Sequence, residues 1–380
     1  MTGGAARSER TGLPFSSGPA ISHMPQLDGL RAFGVAAVVI HHARVFPAND
    51  LALAGVKLFF AISGFLITSI LLASRADAVT RGTTMVSAFK RFYMRRTLRI
   101  FPLYYFVIGV ALAINLEPAR ESWIWLVTYT YNFYQLQLGW FVANFAHLWS
   151  LAVEEQFYLT WPWIILLTPR KWLVPAIVTA VLLAPVSRYL LYFSGTALAT
   201  YLATPIYFDL LGLGALFALV MRGEASGLTW RALRIPLIAL ASLSLFLLVW
   251  GGAGVGQAFH YVLGDFFFAC LCVWVVVSAS RGIRGPLGRM LEFKPIAYVG
   301  QISYGIYVYH PLMPALGAWI GGMLGLQFPR EGTWAGLVAM SALSLLVSAA
   351  SFHLMERPIR DLANHRKVAA GAGKLVEAAP

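Results

Sequence analysis

Apolar runs of about 17 to 22 residues recur along almost the whole sequence, and each is long enough to cross about 30 Å of hydrocarbon as a helix. No other feature constrains the chain as tightly. A soluble helical protein built from these runs would need many helices apolar on every side, with little polar surface to dissolve them. Charge content agrees: 12% of residues are Asp, Glu, Lys or Arg, about half the share in a soluble domain. The sequence predicts an all-α, polytopic transmembrane helix bundle.

Spans are expected near 30–46, 56–73, 101–116, 147–167, 172–191, 204–221, 235–251, 258–278, 296–322 and 333–355, about ten in all. Pro311 and Pro314 should bend or interrupt the ninth. The aromatic stretch 117–146 suits an interfacial or re-entrant excursion, since Trp and Tyr favour the headgroup zone; the other possibility is one more span. Placing both termini in the cytoplasm puts most of the 29 Lys and Arg residues on the inner side and leaves Arg44, Lys57, Arg120, Arg188 and Arg330 outside. That bias fits the positive-inside rule. Residues 1–24 and 363–380 lack an apolar core and are expected as disordered cytoplasmic tails flanking a membrane domain over 25–362. The first tail is not expected to be a cleaved signal peptide, since it has no apolar core.

The net charge of +13 follows this topology, so a nucleic-acid partner is not expected. Cys270 and Cys272 lie within an apolar run. They form no disulfide framework, and two residues apart they suit no metal site alone. No internal repeat suggests a transporter built from duplicated halves.

Polar residues at membrane depth are costly and mark functional candidates. In LDGLRAFGVAAVVIHHA (27–43), Arg31 and His42 are eleven residues apart, or three helical turns plus about 20°. They share one face at about 16 Å axial separation, and His41 points elsewhere. In AHLWSLAVEEQFYLTWP (146–162), His147, Glu154 and Tyr158 fall on one stripe, with Glu155 turned about 100° from Glu154. Imidazole near carboxylate suits general-base chemistry; a structural hydrogen-bond network between helices is equally consistent with this stretch. FKRFYMRRTLRIFPLYY (89–105) places five cations ahead of an apolar run. They serve either as a topogenic anchor for anionic lipid or as a grip on phosphates, with Arg96 and Arg99 on one face beside Arg95. ISYGIYVYHPLM (302–313) brings Ser303, Tyr304, Tyr307 and His310 into another run. GVKLFFAISGFLIT (55–68) carries Ser63 and Gly64, small residues that allow close helix packing. Asp209 and Asp265 lie at membrane depth without an obvious partner in sequence.

As an ordered set these stretches, closed by ERPIR (356–360), resemble membrane-bound acyltransferase family 3, the bacterial O-acyltransferases, over about residues 25–362. The resemblance implies His42 as the catalytic histidine with Arg31 as its partner, and Glu154 as a further catalytic residue. It places the cytoplasmic Arg motif on Arg96, Arg99 and Pro102. Lys57, expected in an outer loop, stands where the family often has Asp. The implied activity is transfer of an acyl group, often acetyl, from cytoplasmic acyl-CoA to a hydroxyl. Acceptors in the family include cell-surface polysaccharide, lipopolysaccharide, exopolysaccharide, peptidoglycan and macrolides. The implied location is a bacterial inner membrane.

These inferences combine into one expectation. Arg95, Arg96 and Arg99 hold the nucleotide end of acyl-CoA, which is a donor substrate and not a resident cofactor. His42 acts as general base, or as the acylated group in a rival scheme. Glu154 orients His42 or binds acceptor hydroxyls. His147, Glu155, Tyr158, Ser303, Tyr304 and His310 contact substrate. No metal is expected. A carrier for glycolipid or polysaccharide precursors, using His42 and Glu154 as a proton relay, is the alternative from another class.

Overall fold

The computed structural model describes residues 23–362, apart from 47–49, 143, 197, 226 and 251–255. The expected tail 363–380 and all but residues 23 and 24 of the expected tail 1–24 fall outside the described residues. All regular structure among the described residues is helical. In chain order the helices are α1 Pro25–His42, α2 Leu51–Thr80, α3 Met85–Ala113, α4 Trp123–Val127, α5 Tyr131–Leu138, α6 Leu148–Leu167, α7 Arg170–Phe193 and α8 Ala199–Leu202. They continue with α9 Phe208–Met221, α10 Trp230–Trp250, α11 Gln257–Phe259, α12 Asp265–Ser280, α13 Gly285–Leu291, α14 Lys294–Gln301, α15 Ser303–Tyr309, α16 Met313–Met323 and α17 Trp334–Ser351.

Seven helical stretches among the described residues are long and apolar enough to cross a membrane: Leu51–Thr80, Met85–Ala113, Arg170–Phe193, Thr204–Met221, Trp230–Leu247, His260–Ser280 and Trp334–Leu362. Three expected spans are missing from that set. The run 296–322 is broken into α14, α15 and α16, with a 3-10 turn at His310–Leu312, where Pro311 supplies no N–H to an α-helical ladder. α1 and α6 carry the polar stretches of the sequence, including Arg31, His42, Glu154 and Glu155. α1 packs against α2, α12, α14, α15 and α17, inside the bundle and away from its rim. The aromatic stretch after α3 holds only α4 and α5, each too short to span.

Small residues set the closest contacts. A Cβ on Gly64 would lie 2.1 Å from the Leu211 carbonyl oxygen, and one on Gly214 would lie 2.6 Å from that of Ala61. α2 and α9 therefore touch backbone to backbone, a packing that only glycine permits here.

Two cations expected on the outer side are buried between helices. Lys57 is buried within α2, and its Nζ lies 2.6 Å from Asp265 Oδ1 on α12. Arg188 is buried within α7, and its guanidinium donates to Asp209 Oδ2 on α9 at 2.6 Å and to the Ile206 carbonyl oxygen. Asp209 and Asp265 thus have the partners that sequence proximity did not reveal. A buried charge is tolerable only when paired and hydrogen-bonded, and these four groups balance one another.

Candidate functional site

Two cavities follow one another along α1 and α2. The first is lined by Arg31, Ser63, Arg96, Arg99, Ser150, Glu154, Glu155, Tyr158, Ser303, Tyr304 and Tyr307, among others. The second, about 870 Å³, is lined by His41, His42, Arg44, Asp50, Phe141, His147, Trp149 and Tyr201, with Tyr307 again on its wall. Val56 and Tyr307 line both, so they form the partition between them. The shared face of Arg31 and His42 puts one residue in each cavity.

In the first cavity Arg31 donates to Asp28 Oδ1 at 2.9 Å, one turn earlier on α1. The Arg96 guanidinium lies 3.8 Å from the centroid of the Tyr158 ring, which fixes the plane of its donor fork. The hydroxyls of Tyr158 and Ser63 both donate to Glu154 Oε1. Tyr304 closes the wall by donating to the Ile100 carbonyl oxygen at 3.0 Å. Arg95 is exposed and is not part of the cavity lining, because it projects from a different side of α3 than Arg96 and Arg99.

In the second cavity the His42 Nδ1 lies 2.9 Å from the Val38 carbonyl oxygen. A carbonyl only accepts, so Nδ1 carries the proton and Nε2 carries the lone pair. Behind His42 sits His310, fully buried, with ring centroids 4.7 Å from His42 and 5.2 Å from His147. His310 Nδ1 likewise donates to a backbone carbonyl, that of Tyr307, at 2.7 Å.

Tyr307 is fixed from both sides. Its hydroxyl lies 2.8 Å from the His147 carbonyl oxygen and 2.5 Å from Ser150 Oγ, which is itself 3.2 Å from that carbonyl, so the two hydroxyls share one acceptor.

Expected site residues therefore divide between two places. Arg31, Arg96, Arg99, Glu154, Glu155, Tyr158, Ser303 and Tyr304 meet in the first cavity; His42 and His147 meet in the second, with His310 packed against them. Glu155, turned about 100° from Glu154 along α6, still lines the first cavity with it. One expectation is corrected. Glu154 does not orient His42: its Oε1 accepts from Ser63 and Tyr158, whereas His42 is oriented by Val38. Sequence reasoning undervalued Ser63, taken as a packing residue, and Tyr307, noted within its motif but given no place at the site. A hydroxyl one turn from a carboxylate on a neighbouring helix leaves no trace in one-dimensional spacing.

A family described as an acyltransferase domain matches residues 24–353. The chain is 29% identical over 368 residues to the peptidoglycan O-acetyltransferase OatA of Listeria monocytogenes, covering 89% of this chain and 56% of the relative. It is 29% identical over 362 residues to a putative peptidoglycan O-acetyltransferase, YrhL, of Bacillus subtilis, covering 89% of this chain and 55% of that one. It is 24% identical over 370 residues to the O-acetyltransferase OatA of Staphylococcus aureus, covering 89% of this chain and 57% of the relative. The chain spans about half the length of the curated relatives it matches. No solved structure matches it.

Proposed function

This chain belongs to the acyltransferase family, and from that premise we propose that it moves an acetyl group from acetyl-CoA to a hydroxyl of a saccharide acceptor. The observation that carries the proposal is the His42 tautomer. Nδ1 is committed to the Val38 carbonyl, so Nε2 is the free base, on a large cavity that shares a wall with an arginine-lined one. The acceptor class is supported by the relatives named as peptidoglycan O-acetyltransferases.

Arg96 and Arg99 hold the phosphates of the donor, with Arg31 further along the first cavity. Arginine suits this task because its planar fork pairs with phosphate oxygens two at a time. The thioester end of the donor passes between Val56 and Tyr307 to His42. The acceptor hydroxyl, seated in the second cavity, gives its proton to His42 Nε2 as its oxygen attacks the thioester carbonyl carbon. The C–O bond forms, the C–S bond breaks, and the leaving thiolate takes the proton from the imidazolium. The Arg-bearing end of the bundle then faces the cytoplasm, where acyl-CoA resides, in a bacterial inner membrane.

The test is turnover of radiolabelled acetyl-CoA by the protein in nanodiscs, with a glycan extract as acceptor. His42→Ala should lower transfer by about 10²–10⁴-fold, the usual worth of a positioned general base. Equal turnover by wild type and His42→Ala would overturn the assignment.

A further inference from the structure

Beside the His42 cavity lies a third chamber of about 180 Å³, which shares Asp50, Leu53 and Tyr201 with it. Neither the histidines nor the arginines of the proposed mechanism line it, so its chemistry is unassigned. The walls combine two kinds of surface. Tyr201, Tyr207, Tyr261 and Phe268 contribute aromatic rings. Asp50, Lys57, His260 and Asp265 contribute polar heads.

Asp265 is the focus. Its Oδ1 accepts from Lys57 at 2.6 Å, while its Oδ2 lies 3.8 Å from Arg188 Nε, too far for a hydrogen bond. Its side chain remains 26% exposed beside a Lys57 side chain that is only 8% exposed. Asp265, anchored by Lys57, therefore lines the chamber with one carboxylate oxygen beyond hydrogen-bond reach of Arg188 and able to accept.

The charge balance narrows the ligand. Lys57 and Arg188 offset Asp265 and Asp209, and Asp50 leaves the mouth acidic. A phosphate or carboxylate would meet repulsion here. An acyl chain would strand Asp265 and Lys57 away from water, a costly burial of polar groups. A sugar ring fits both surfaces, because its C–H faces lie against aromatic rings whose faces are electron-rich, and its hydroxyls donate to the carboxylate.

We propose that this side chamber is a saccharide subsite, holding the acceptor ring adjacent to the one whose hydroxyl is presented to His42. That the bound sugar is the acceptor rests on the acyl-transfer proposal above; that a sugar binds here does not. The chamber then makes the protein prefer oligosaccharides over single sugars, and it does so from a position that touches no reacting atom.

The experiment measures binding of tetrasaccharides of the chito, cello and malto series, and of their monosaccharides, to the full chain in nanodiscs by calorimetry. Acetyl transfer to the same sugars is measured in parallel. In wild type at least one tetrasaccharide should bind about tenfold or more tighter than its monosaccharide. Leu53→Trp, which fills the opening between the two cavities, and Tyr201→Ala, at the half-exposed mouth, should each collapse that ratio toward one. Asp265→Asn should do the same while keeping the chamber's shape; should it fail to fold, the other two variants carry the test. A wild-type ratio near one in every series, or variants that retain the wild-type ratio, would overturn the subsite. Length-selective binding with no acetyl transfer leaves the subsite standing and sinks the transferase proposal. Transfer with no length preference does the reverse.

Discussion

At the scale of single residues, three arginines in one short motif have different fates because of helical geometry. Arg96 and Arg99 are three apart and reach one cavity, whereas Arg95 turns outward. Charge alone would make all three equivalent donors to a nucleotide. Geometry predicts a split. Arg96→Ala with Arg99→Ala should raise the KM for acetyl-CoA by roughly ten- to a hundredfold, since charge-assisted hydrogen bonds to phosphate are the strong class. Arg95→Ala should change it by no more than about twofold, as expected of an exposed charge screened by solvent. Steady-state kinetics with varied donor separates the cases. If Arg95→Ala matched the double variant, the cluster would act as a diffuse electrostatic anchor and the first cavity would not be the donor site. His42 shows the complementary point: its helix provides the Val38 carbonyl four residues earlier, so the segment that carries the base also sets its tautomer.

At the scale of elements, buried ion pairs tie helices together. The Arg188–Asp209 pair joins α7 to α9, with side chains 1% and 0% exposed, and Arg188 approaches Asp265 on α12. Removing one partner leaves an uncompensated charge. Asp209→Ala should therefore cost about 3–5 kcal/mol. Replacing both, as in Arg188→Met with Asp209→Leu, should cost much less, because no orphan charge remains. Thermal unfolding in detergent checks this: a double variant as unstable as the single one would show that the pair's hydrogen bonds, including the one to the Ile206 carbonyl, outweigh its charge balance. These pairs also mark where sequence reasoning stops. The long apolar runs made the helical membrane class legible, and an eleven-residue spacing singled out Arg31 and His42 on α1, where they line two different cavities. The same reasoning put Lys57 and Arg188 on the outer side, because a cation near the end of an apolar run looks like its boundary. What permits Lys57 inside α2 is Asp265, 208 residues later. No local period encodes a partner at that distance, so only packing reveals it.

At the scale of the whole molecule, the two cavities stand end to end and meet at Val56 and Tyr307, with Arg31 and His42 separated by about 16 Å of helical rise along α1. A soluble transferase can bring both substrates through one mouth. Here the basic cavity and the histidine cavity occupy successive levels of a bundle whose long helices cross a membrane. The arrangement predicts sidedness: the donor enters from the Arg96 end and the acceptor from the His42 end. In sealed proteoliposomes, acetyl-CoA supplied outside and oligosaccharide enclosed inside should yield acetylated product in the lumen. That product should come only from molecules whose Arg96 end faces out, so protease treatment that removes the outward-facing basic segments should abolish it. Tyr307→Ala, which removes the shared wall and the hydroxyl bonded to Ser150 and His147, should alter this route more than Ser303→Ala, which lines the first cavity alone. Product found only when donor and acceptor share a compartment would mean that the two cavities do not act in series. Tyr307 would then be a strut between α15 and α6, and both substrates would enter from one face.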